Sequence, residues 1–164
     1  MQTGAIGASD QSFAVFQQIA LESGQTLGHS LFTVTWFDAQ AMQVQRVFSS
    51  NPPAYPVGGR KPKRDTAWGR QVLLECKPLV CEGDAAIARM FDDHSTILGL
   101  GLHSSINAPV RGDSGCVGVL NFLMVSDRVT PQQLYAACDL ALRPDVAAAL
   151  AMIPRRVPVL ADAS

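Results

Sequence analysis

Apolar side chains recur every three or four positions near the start of the chain, and this spacing predicts an amphipathic helix over residues 10–22. The positions on its apolar face are Phe13, Phe16, Ile19 and Ala20. Ser9 or Asp10 can cap the start of the helix, because a short polar side chain there accepts a hydrogen bond from a free backbone N–H. Gly24 can end the helix, since glycine readily adopts the left-handed conformation that often follows the last turn.

The pattern then changes to two segments typical of strands. Residues 31–37 are rich in β-branched and aromatic side chains, whereas residues 42–49 alternate apolar with polar ones. A turn at Asp38 and Ala39 separates the two segments, so we expect them to pair as a hairpin. Residues 51–62 follow with several prolines and two adjacent glycines, which predict a long loop without regular structure.

The rest of the chain alternates short elements with turns. We predict a helix over 67–75, capped by Asp65 or Thr66, and a strand over 78–81. Short helices follow over 84–91 and 93–98, ended by Gly99 and Gly101, and then strands over 104–110 and 116–125, joined by a loop at 111–115. The last predicted element is a helix over 130–153, which Thr130 caps and Pro144 kinks or splits. The second of these long strands is apolar throughout, which favours a central place in the sheet. Two hairpins, a helical middle and terminal helices predict an antiparallel α+β fold.

Composition supports a folded protein. The chain has 164 residues, of which 48% are hydrophobic and 16% are charged, a balance that disordered proteins lack. This length predicts one domain over residues 1–164, with its core in about 9–153 and a frayed tail from 154. The net charge is −1, so the chain lacks the basic excess expected of a nucleic-acid-binding protein.

Nothing in the sequence predicts export or a membrane partner. Residues 1–4 do not begin a secretory signal, and the longest apolar run, 116–125, is about half as long as a membrane-spanning helix. The four cysteines form no C-x-x-C pair, and two of them lie in apolar stretches, where a free thiol behaves as a small hydrophobe. We therefore expect a cytoplasmic protein with no nucleic-acid partner and no membrane partner.

Several motifs, in this order along the chain, resemble the GAF family. They are residues 31–38 (LFTVTWFD) as a first strand, 45–50 (QRVFSS) as a second, 64–69 (RDTAWG) at a helix start, 98–101 (LGLG) before 104–110 (SSINAPV), and 115–121 (GCVGVLN) as the final strand. The resemblance covers roughly residues 9–153 and implies a GAF/PAS-like antiparallel sheet of about five to six strands. The terminal helices would pack on one face, and short helices and loops would enclose a ligand pocket on the other.

The resemblance also implies a function. GAF domains are sensory or regulatory domains in signal transduction that bind small molecules, and many dimerise through their terminal helices, so a homodimer is expected here. Family members bind cyclic nucleotides, bilins, haem or small metabolites, which leaves the ligand or cofactor unknown. Bilin-binding members carry a cysteine just before a histidine, where this chain has Asp93–His94. The Asn-Lys-Phe-Asp-Glu motif frequent among cyclic-nucleotide binders does not occur.

Two other functions stay open. Free methionine-R-sulfoxide reductases are stand-alone GAF proteins of this length, but their cysteines lie near positions equivalent to Trp68 and to residues 99–103, where this chain has none. A divergent redox enzyme would have to use Cys76 and Cys81, and the distance between those thiols and their exposure decide that hypothesis. An accessory subunit whose own side chains fill the pocket is the third hypothesis. No catalytic residue is predicted.

The loop over residues 55–64 is the most distinctive candidate site. Its adjacent glycines allow the backbone to approach a ligand closely, and Tyr55 can contact one. Arg60, with three further basic residues, supplies positive charge suited to a carboxylate or phosphate. We interpret the loop as a lid over a pocket for a small polar or anionic metabolite. The alternative is an ordinary solvated loop.

The other candidate ligand-binding residues lie on predicted helices and strands. Trp68 can stack on a planar ligand or belong to the core, and His94 can donate a hydrogen bond. Ser105 and Asn107 share one strand face, and Asn121 interrupts the apolar strand that pairs with it. A buried amide needs a hydrogen-bond partner, either a ligand or neighbouring protein groups. No set of residues shows metal-ligand spacing, so no metal site is predicted.

The register of the second hairpin decides whether the two asparagines act together. If Val110 pairs with Cys116, Asn107 and Asn121 lie on the same face of the sheet. A slip of one residue places them on opposite faces, because side chains alternate along a strand.

Overall fold

A computed structural model describes residues 10–153, which form an antiparallel sheet with helices on both faces. The six strands are β1 (Leu31–Asp38), β2 (Gln43–Ser49), β3 (Arg60–Pro62), β4 (Leu79–Glu82), β5 (Ser104–Gly112) and β6 (Gly115–Met124). The helices are α1 (Asp10–Thr26), a π-helix (Gly69–Leu74), α2 (Asp84–Met90), α3 (His94–Gly99), α4 (Pro131–Ala141) and α5 (Pro144–Ala151). No helix among these residues is long and apolar enough to cross a membrane.

The strand order is β3-β2-β1-β6-β5-β4, and every neighbouring pair is antiparallel. The predicted antiparallel α+β sheet of five to six strands is confirmed. The strand predicted to be central, β6, pairs with both β1 and β5. Its side chains are buried on both faces: Leu120 and Phe122 point to one face, and Val119 and Leu123 to the other.

Each face of the sheet has its own core. On one face, α1, α4 and α5 bury Phe16, Ile19 and Leu150 against strand side chains such as Phe32 and Phe122. On the other face, the π-helix, α2 and α3 cover the sheet, with these apolar contacts: Leu31, Val72, Ile87, Ile97, Val119 and Leu123. The arrangement that the resemblance implied, with terminal helices on one face and short helices on the other, is therefore confirmed.

The helix termini differ from two predictions. Gly24 does not end α1, which continues to Thr26, because intrahelical bonds hold the last turn and an isolated glycine inside a helix costs only about 1 kcal/mol. Gly28, at a φ of 69°, follows the helix instead. Thr130 caps α4 as predicted, in a capping box with Gln133. Pro144 splits the last helix in two. Ser9 and the tail from residue 154 lie outside the described residues.

The long loop contains a strand that its composition does not predict. Arg60–Pro62 forms β3, which pairs with β2 at the edge of the sheet, so the expectation of no regular structure was wrong there. An edge strand tolerates Pro62 because one side of it needs no ladder hydrogen bonds. The helix predicted over 67–75 begins at the Thr66 cap, whose Oγ1 accepts a hydrogen bond from Gly69 N at 2.9 Å, and becomes the π-helix.

Gly118 on β6 lies where the terminal helices pack closely against the sheet. A Cβ added there would lie 2.5 Å from Thr35 O and 2.8 Å from both terminal carbons of Leu150. We expect Gly118→Ala to lower the free energy of unfolding by about 1–3 kcal/mol, because a buried overlap forces strand and helix apart. Urea unfolding measures this loss. Gly99→Ala is the matched control, since its added Cβ meets nothing within 4 Å.

Candidate functional site

A cavity of about 70 Å³ lies between the sheet and the loop formed by residues 51–63. The sheet supplies its floor and the loop its roof, and Trp68, just before the π-helix, and Ile97 of α3 supply side walls. Its polar and charged lining residues are Thr33, Thr35, Arg46, Tyr55, Lys61, Lys63, Trp68, Asp93, Ser105, Asn107 and Asn121. Backbone hydrogen bonds of Arg46 to Gly58 and Gly59 hold the loop on β2, at 2.8 and 3.1 Å.

A ladder of polar side chains crosses the floor of the cavity. Thr33, Asn121 and Asn107 are direct cross-strand neighbours on β1, β6 and β5. Asn121 Nδ2 donates to Thr33 Oγ1 at 3.1 Å, and Asn107 Nδ2 donates to Asn121 Oδ1 at 2.8 Å. Trp68 Nε1 donates to Asn107 Oδ1 at 3.1 Å, which ties the segment before the π-helix to the sheet. Each member is buried, so these bonds replace water that the side chains lose on folding.

The register left open by the sequence is thereby settled. Asn107 pairs directly with Asn121, and Val110 pairs with Gly118 rather than with Cys116. This is a shift of two residues from the pairing considered, so both asparagines still face the same side. The strands reach Gly112 and Gly115, so the connecting loop is shorter than predicted.

Two hydroxyl groups flank this ladder without a hydrogen-bond partner among the described residues. Ser105 Oγ lies on one side of the ladder and Thr35 Oγ1 on the other, and both residues line the cavity. Ser105 is 0% exposed and Thr35 is 9% exposed. The Cys81 thiol is within hydrogen-bonding reach of Ser105, but a thiol is too weak a donor and acceptor to satisfy the hydroxyl. A buried hydroxyl without a partner is costly, so both groups are suited to bind a molecule in the cavity.

Three cationic side chains and one carboxylate line the upper part of the cavity. The Arg46 guanidinium lies 4.1 Å from the centre of the Tyr55 ring, and its Nη1 donates to Pro56 O at 2.9 Å. Lys61 Nζ is 3.5 Å from Asp93 Oδ2. Lys63 Nζ lies 4.6 Å above the Trp68 ring. With Asp93 as the one carboxylate among the described lining residues, this part of the cavity lining carries an excess of positive charge.

Burial and neighbouring charges both act on Lys63. Burial lowers the pKa of its ammonium group, and the charge of Lys61 lowers it next. The carboxylates of Asp92 and Asp93 oppose this change without cancelling it. The folded protein therefore disfavours the charged form of Lys63, and an anion in the cavity would restore it.

Tyr55 and Asp93 fasten the loop to the start of α3. The Tyr55 hydroxyl donates to Asp93 Oδ2, and Asp93 also accepts from Lys61 in an ion pair. Burial raises the pKa of Tyr55, and Asp93 raises it further. Burial also raises the pKa of Asp93, but the hydrogen bond from Tyr55 and the charge of Lys61 outweigh it, so the net pKa is lowered.

We expect Asp93→Asn to weaken the loop attachment and to remove part of the acid sensitivity of the fold. The folded pKa of Asp93 lies below its unfolded value of about 3.9, so the folded state binds fewer protons. Its stabilisation is complete above about pH 4 and is lost as pH falls through the folded pKa. The variant should lose about 1 kcal/mol at neutral pH and less near pH 3. Urea unfolding at both pH values checks this, with exposed Asp92→Asn as control.

Solved structures of several other proteins have the same architecture as this chain. The GAF domain of a two-component sensor histidine kinase from Bacillus halodurans has a TM-score of 0.68 at 11% identity, over 84% of this chain and 92% of that one. The chain has a GAF fold. The GAF-B domain of DevS from Mycobacterium smegmatis has a TM-score of 0.61 at 23% identity, over 86% of this chain and 93% of that one.

A free methionine-R-sulfoxide reductase shares this GAF fold. The enzyme from Neisseria meningitidis, solved in complex with its substrate, has a TM-score of 0.62 at 17% identity, over 87% of this chain and 78% of that one. The fold is thus found both in domains of sensor proteins and in enzymes. No protein-family model and no curated protein matches the sequence.

The GAF fold brings five of the seven predicted site residues to one cavity. These five are Tyr55, Trp68, Ser105, Asn107 and Asn121. Arg60 lies outside the cavity, because neighbouring residues of β3 point to opposite sides and Lys61 points inward. Its guanidinium instead donates to Gln43, Gln45 and Asp38 on the first hairpin. His94 also lies outside the lining, with its Nδ1 2.9 Å from Phe91 O.

Several lining residues were not among the predicted site residues. Thr33 and Thr35 alternate on β1 with residues that face the terminal helices, a signal present in the sequence once the faces are assigned. Arg46 points into the cavity because the β1–β2 register shifts between Val34 and Thr35, which local sequence does not show. Asp93 lies just before α3 and reaches the cavity only through the tertiary fold.

The redox hypothesis depends on the exposure of Cys76 and Cys81, which differ: Cys76 is half-buried and Cys81 is buried. Cys81 is buried on β4, and burial raises the pKa of its thiol. The Cys76 thiol contacts Cys116 on β6. No cysteine is among the described residues that line the cavity. Across residues 10–153, no cluster of three or more His, Cys, Asp or Glu side chains could hold a metal ion.

Proposed function

We propose that this GAF-fold chain is a cytoplasmic sensory domain that binds a short anion carrying a second polar group. The observation that carries the proposal is the cavity lining: an excess of cations at one end and two unpartnered buried hydroxyls on the floor. A ligand with both a carboxylate and a hydroxyl group would satisfy both parts. The charged groups would supply affinity, and the hydroxyls would select the second group.

The size of the cavity limits the ligand. About 70 Å³ is roughly half the size of an apolar cavity that accommodates benzene, about 150 Å³. A short hydroxycarboxylate is therefore a better match than a nucleotide, a bilin or a haem. The same open volume argues against an accessory subunit whose own side chains fill the pocket. The sensor role is supported by neighbours such as the GAF domain of the histidine kinase.

A thermal-shift series with three probes of nearly equal size tests this proposal. Lactate carries both a charge and a hydroxyl, propionate lacks the hydroxyl, and lactamide lacks the charge. We expect lactate to raise the unfolding midpoint most, since a ligand that binds only the folded state stabilises it in proportion to its occupancy. Equal shifts, or no shift with any of the three at concentrations of tens of millimolar, would exclude the proposed ligand class.

A homodimer through the terminal helices stays a prediction, and we propose it for this chain too. Two apolar side chains on α1, Phe13 and Leu21, are 48% and 62% exposed and lie about two turns apart, about 80° from each other around the helix axis. Light scattering should give the mass of a dimer, and Leu21→Glu should shift it towards the monomer because a charge would be buried at the interface. A monomeric wild-type protein at high concentration would contradict the proposal.

A further inference from the structure

Two cysteines meet where the π-helix approaches β6. Cys76 follows the π-helix by two residues, and Cys116 is the second residue of β6. β6 packs against the π-helix, and Cys116 packs on the core of that face. A side-chain hydrogen bond joins the thiols of Cys76 and Cys116. The pairing considered from sequence was Cys76 with Cys81, which is buried on β4.

Both thiols are free and partly accessible. Cys76 and Cys116 are half-buried, as is Cys138 on α4, whereas Cys81 is buried. Cys76 has a φ of 56°, which is unusual for a residue with a side chain. Backbone hydrogen bonds on either side, from Glu75 N to Arg70 O and from Lys77 N to Gln71 O, hold it in place. The backbone therefore fixes Cys76 at the position where its thiol meets Cys116.

We propose that Cys76 and Cys116 form a reversible disulfide by exchange with a low-molecular-weight disulfide such as oxidised glutathione. The proposal is independent of the ligand in the cavity. Two thiols close enough to share a hydrogen bond need limited movement to reach bonding distance, and both residues are partly exposed to a small oxidant.

The exchange balances in two steps. The Cys76 thiolate attacks one sulfur of oxidised glutathione, forming a mixed disulfide and releasing one glutathione thiolate. The Cys116 thiolate then attacks the Cys76 sulfur, which forms the Cys76–Cys116 bond and releases the second glutathione. The two cysteine sulfurs are oxidised, and one glutathione disulfide is reduced to two thiols. The two protons that the cysteines lose are taken up by the two glutathione thiolates. Excess reduced glutathione reverses both steps.

The second step is the slow one. Burial raises the pKa of Cys116 to about 12, and the neighbouring Cys76 adds to the effect. Only a small fraction of Cys116 is therefore thiolate at neutral pH, and closure should accelerate with pH between about 7 and 9. We therefore place the first attack on the oxidant at Cys76.

The disulfide would affect the cavity through Trp68, which links the π-helix to the cavity floor. Trp68 lies directly before the π-helix and donates to Asn107 on the cavity floor. A bond at Cys76 would fasten the other end of the same helix to β6. We expect amide hydrogen exchange over residues 66–76 to slow on oxidation, because helix opening would then strain a covalent link.

Peptide mapping after treatment with oxidised glutathione and rapid alkylation tests the proposal. Trypsin does not cleave readily at Lys77–Pro78, so Cys76 and Cys81 share the peptide 71–89. The mapping is therefore run on Cys81→Ser. We expect this peptide linked to 112–128, which carries Cys116, with a mass lower by two hydrogen atoms than the sum of the reduced peptides.

Two matched variants make the outcome decisive. In Cys116→Ser, Cys76 should stop at the mixed disulfide with glutathione, whereas Cys138→Ser should still form the link at the wild-type rate. The proposal is overturned if Cys76 and Cys116 are recovered as free thiols or separate glutathione adducts under conditions in which Cys138 reacts. It is also overturned if Cys76 is recovered linked to Cys138 rather than to Cys116 in the Cys81→Ser protein.

Discussion

Replacing Lys63 with methionine should lower the affinity for lactate by about tenfold to a hundredfold. A hydrogen bond to a charged group contributes about 1.5–3 kcal/mol, and each 1.4 kcal/mol is a factor of ten in affinity. Lys63 is the cation for which this contribution should be largest. Its ammonium group is buried among other positive charges, and its pKa is already lowered in the folded protein. Titration calorimetry of the wild type and the variant gives the ratio directly.

The Lys63→Met variant should fold as well as the wild type. A methionine side chain can keep the contact with the Trp68 ring, and the cost of burying a charge disappears. Lys77→Met is the control, because Lys77 is an exposed cation away from the cavity lining. The charge hypothesis fails if both variants bind lactate as tightly as the wild type, or if Lys77→Met weakens binding to the same extent as Lys63→Met.

Replacing Asn107 with alanine should reduce the free energy of unfolding by about 3 kcal/mol. The substitution removes the acceptor for Trp68 Nε1 and the donor for Asn121 Oδ1, both in buried positions. A buried polar group left without its partner costs about 1–3 kcal/mol. Urea unfolding measures the loss. Asn51→Ala, at an exposed position in the loop, should change it by less than about 0.5 kcal/mol.

A double-mutant cycle separates the ladder from simple loss of packing. In a Trp68→Phe background the indole donor is already absent, so Asn107→Ala should cost less than it does in the wild type. The difference is the coupling energy between the two side chains, about 1 kcal/mol for a buried hydrogen bond. A cost that is the same in both backgrounds would mean that Trp68 and Asn107 stabilise the fold independently.

The sequence predicts the GAF-fold elements well because their signals are local. The helical spacing of α1, the alternation in β2 and the break at Pro144 each lie within a few turns of chain. The residues on the cavity floor were also accessible to prediction, since Ser105 and Asn107 share a face under any register of the hairpin. Sequence alone could establish that shared face, but not the residues with which Asn107 forms hydrogen bonds.

The remaining features depend on tertiary contacts. The pairing of β3 decides that Lys61, and not Arg60, points inward. The prolines and glycines of the loop predict no strand there. The inward direction of Arg46 follows from a register shift between β1 and β2. The contact of Cys76 with Cys116 joins residues about 40 positions apart and leaves no local pattern. Composition and periodicity do not encode these contacts one by one.

The most direct test of the proposed ligand class is a crystal structure of the protein with lactate, at the concentration that saturates the thermal shift. We predict lactate inside the cavity, with its carboxylate within hydrogen-bonding distance of Lys61 or Lys63 and its hydroxyl directed to Ser105 or Thr35. A cavity that holds only water while lactate binds elsewhere on the surface would contradict the account.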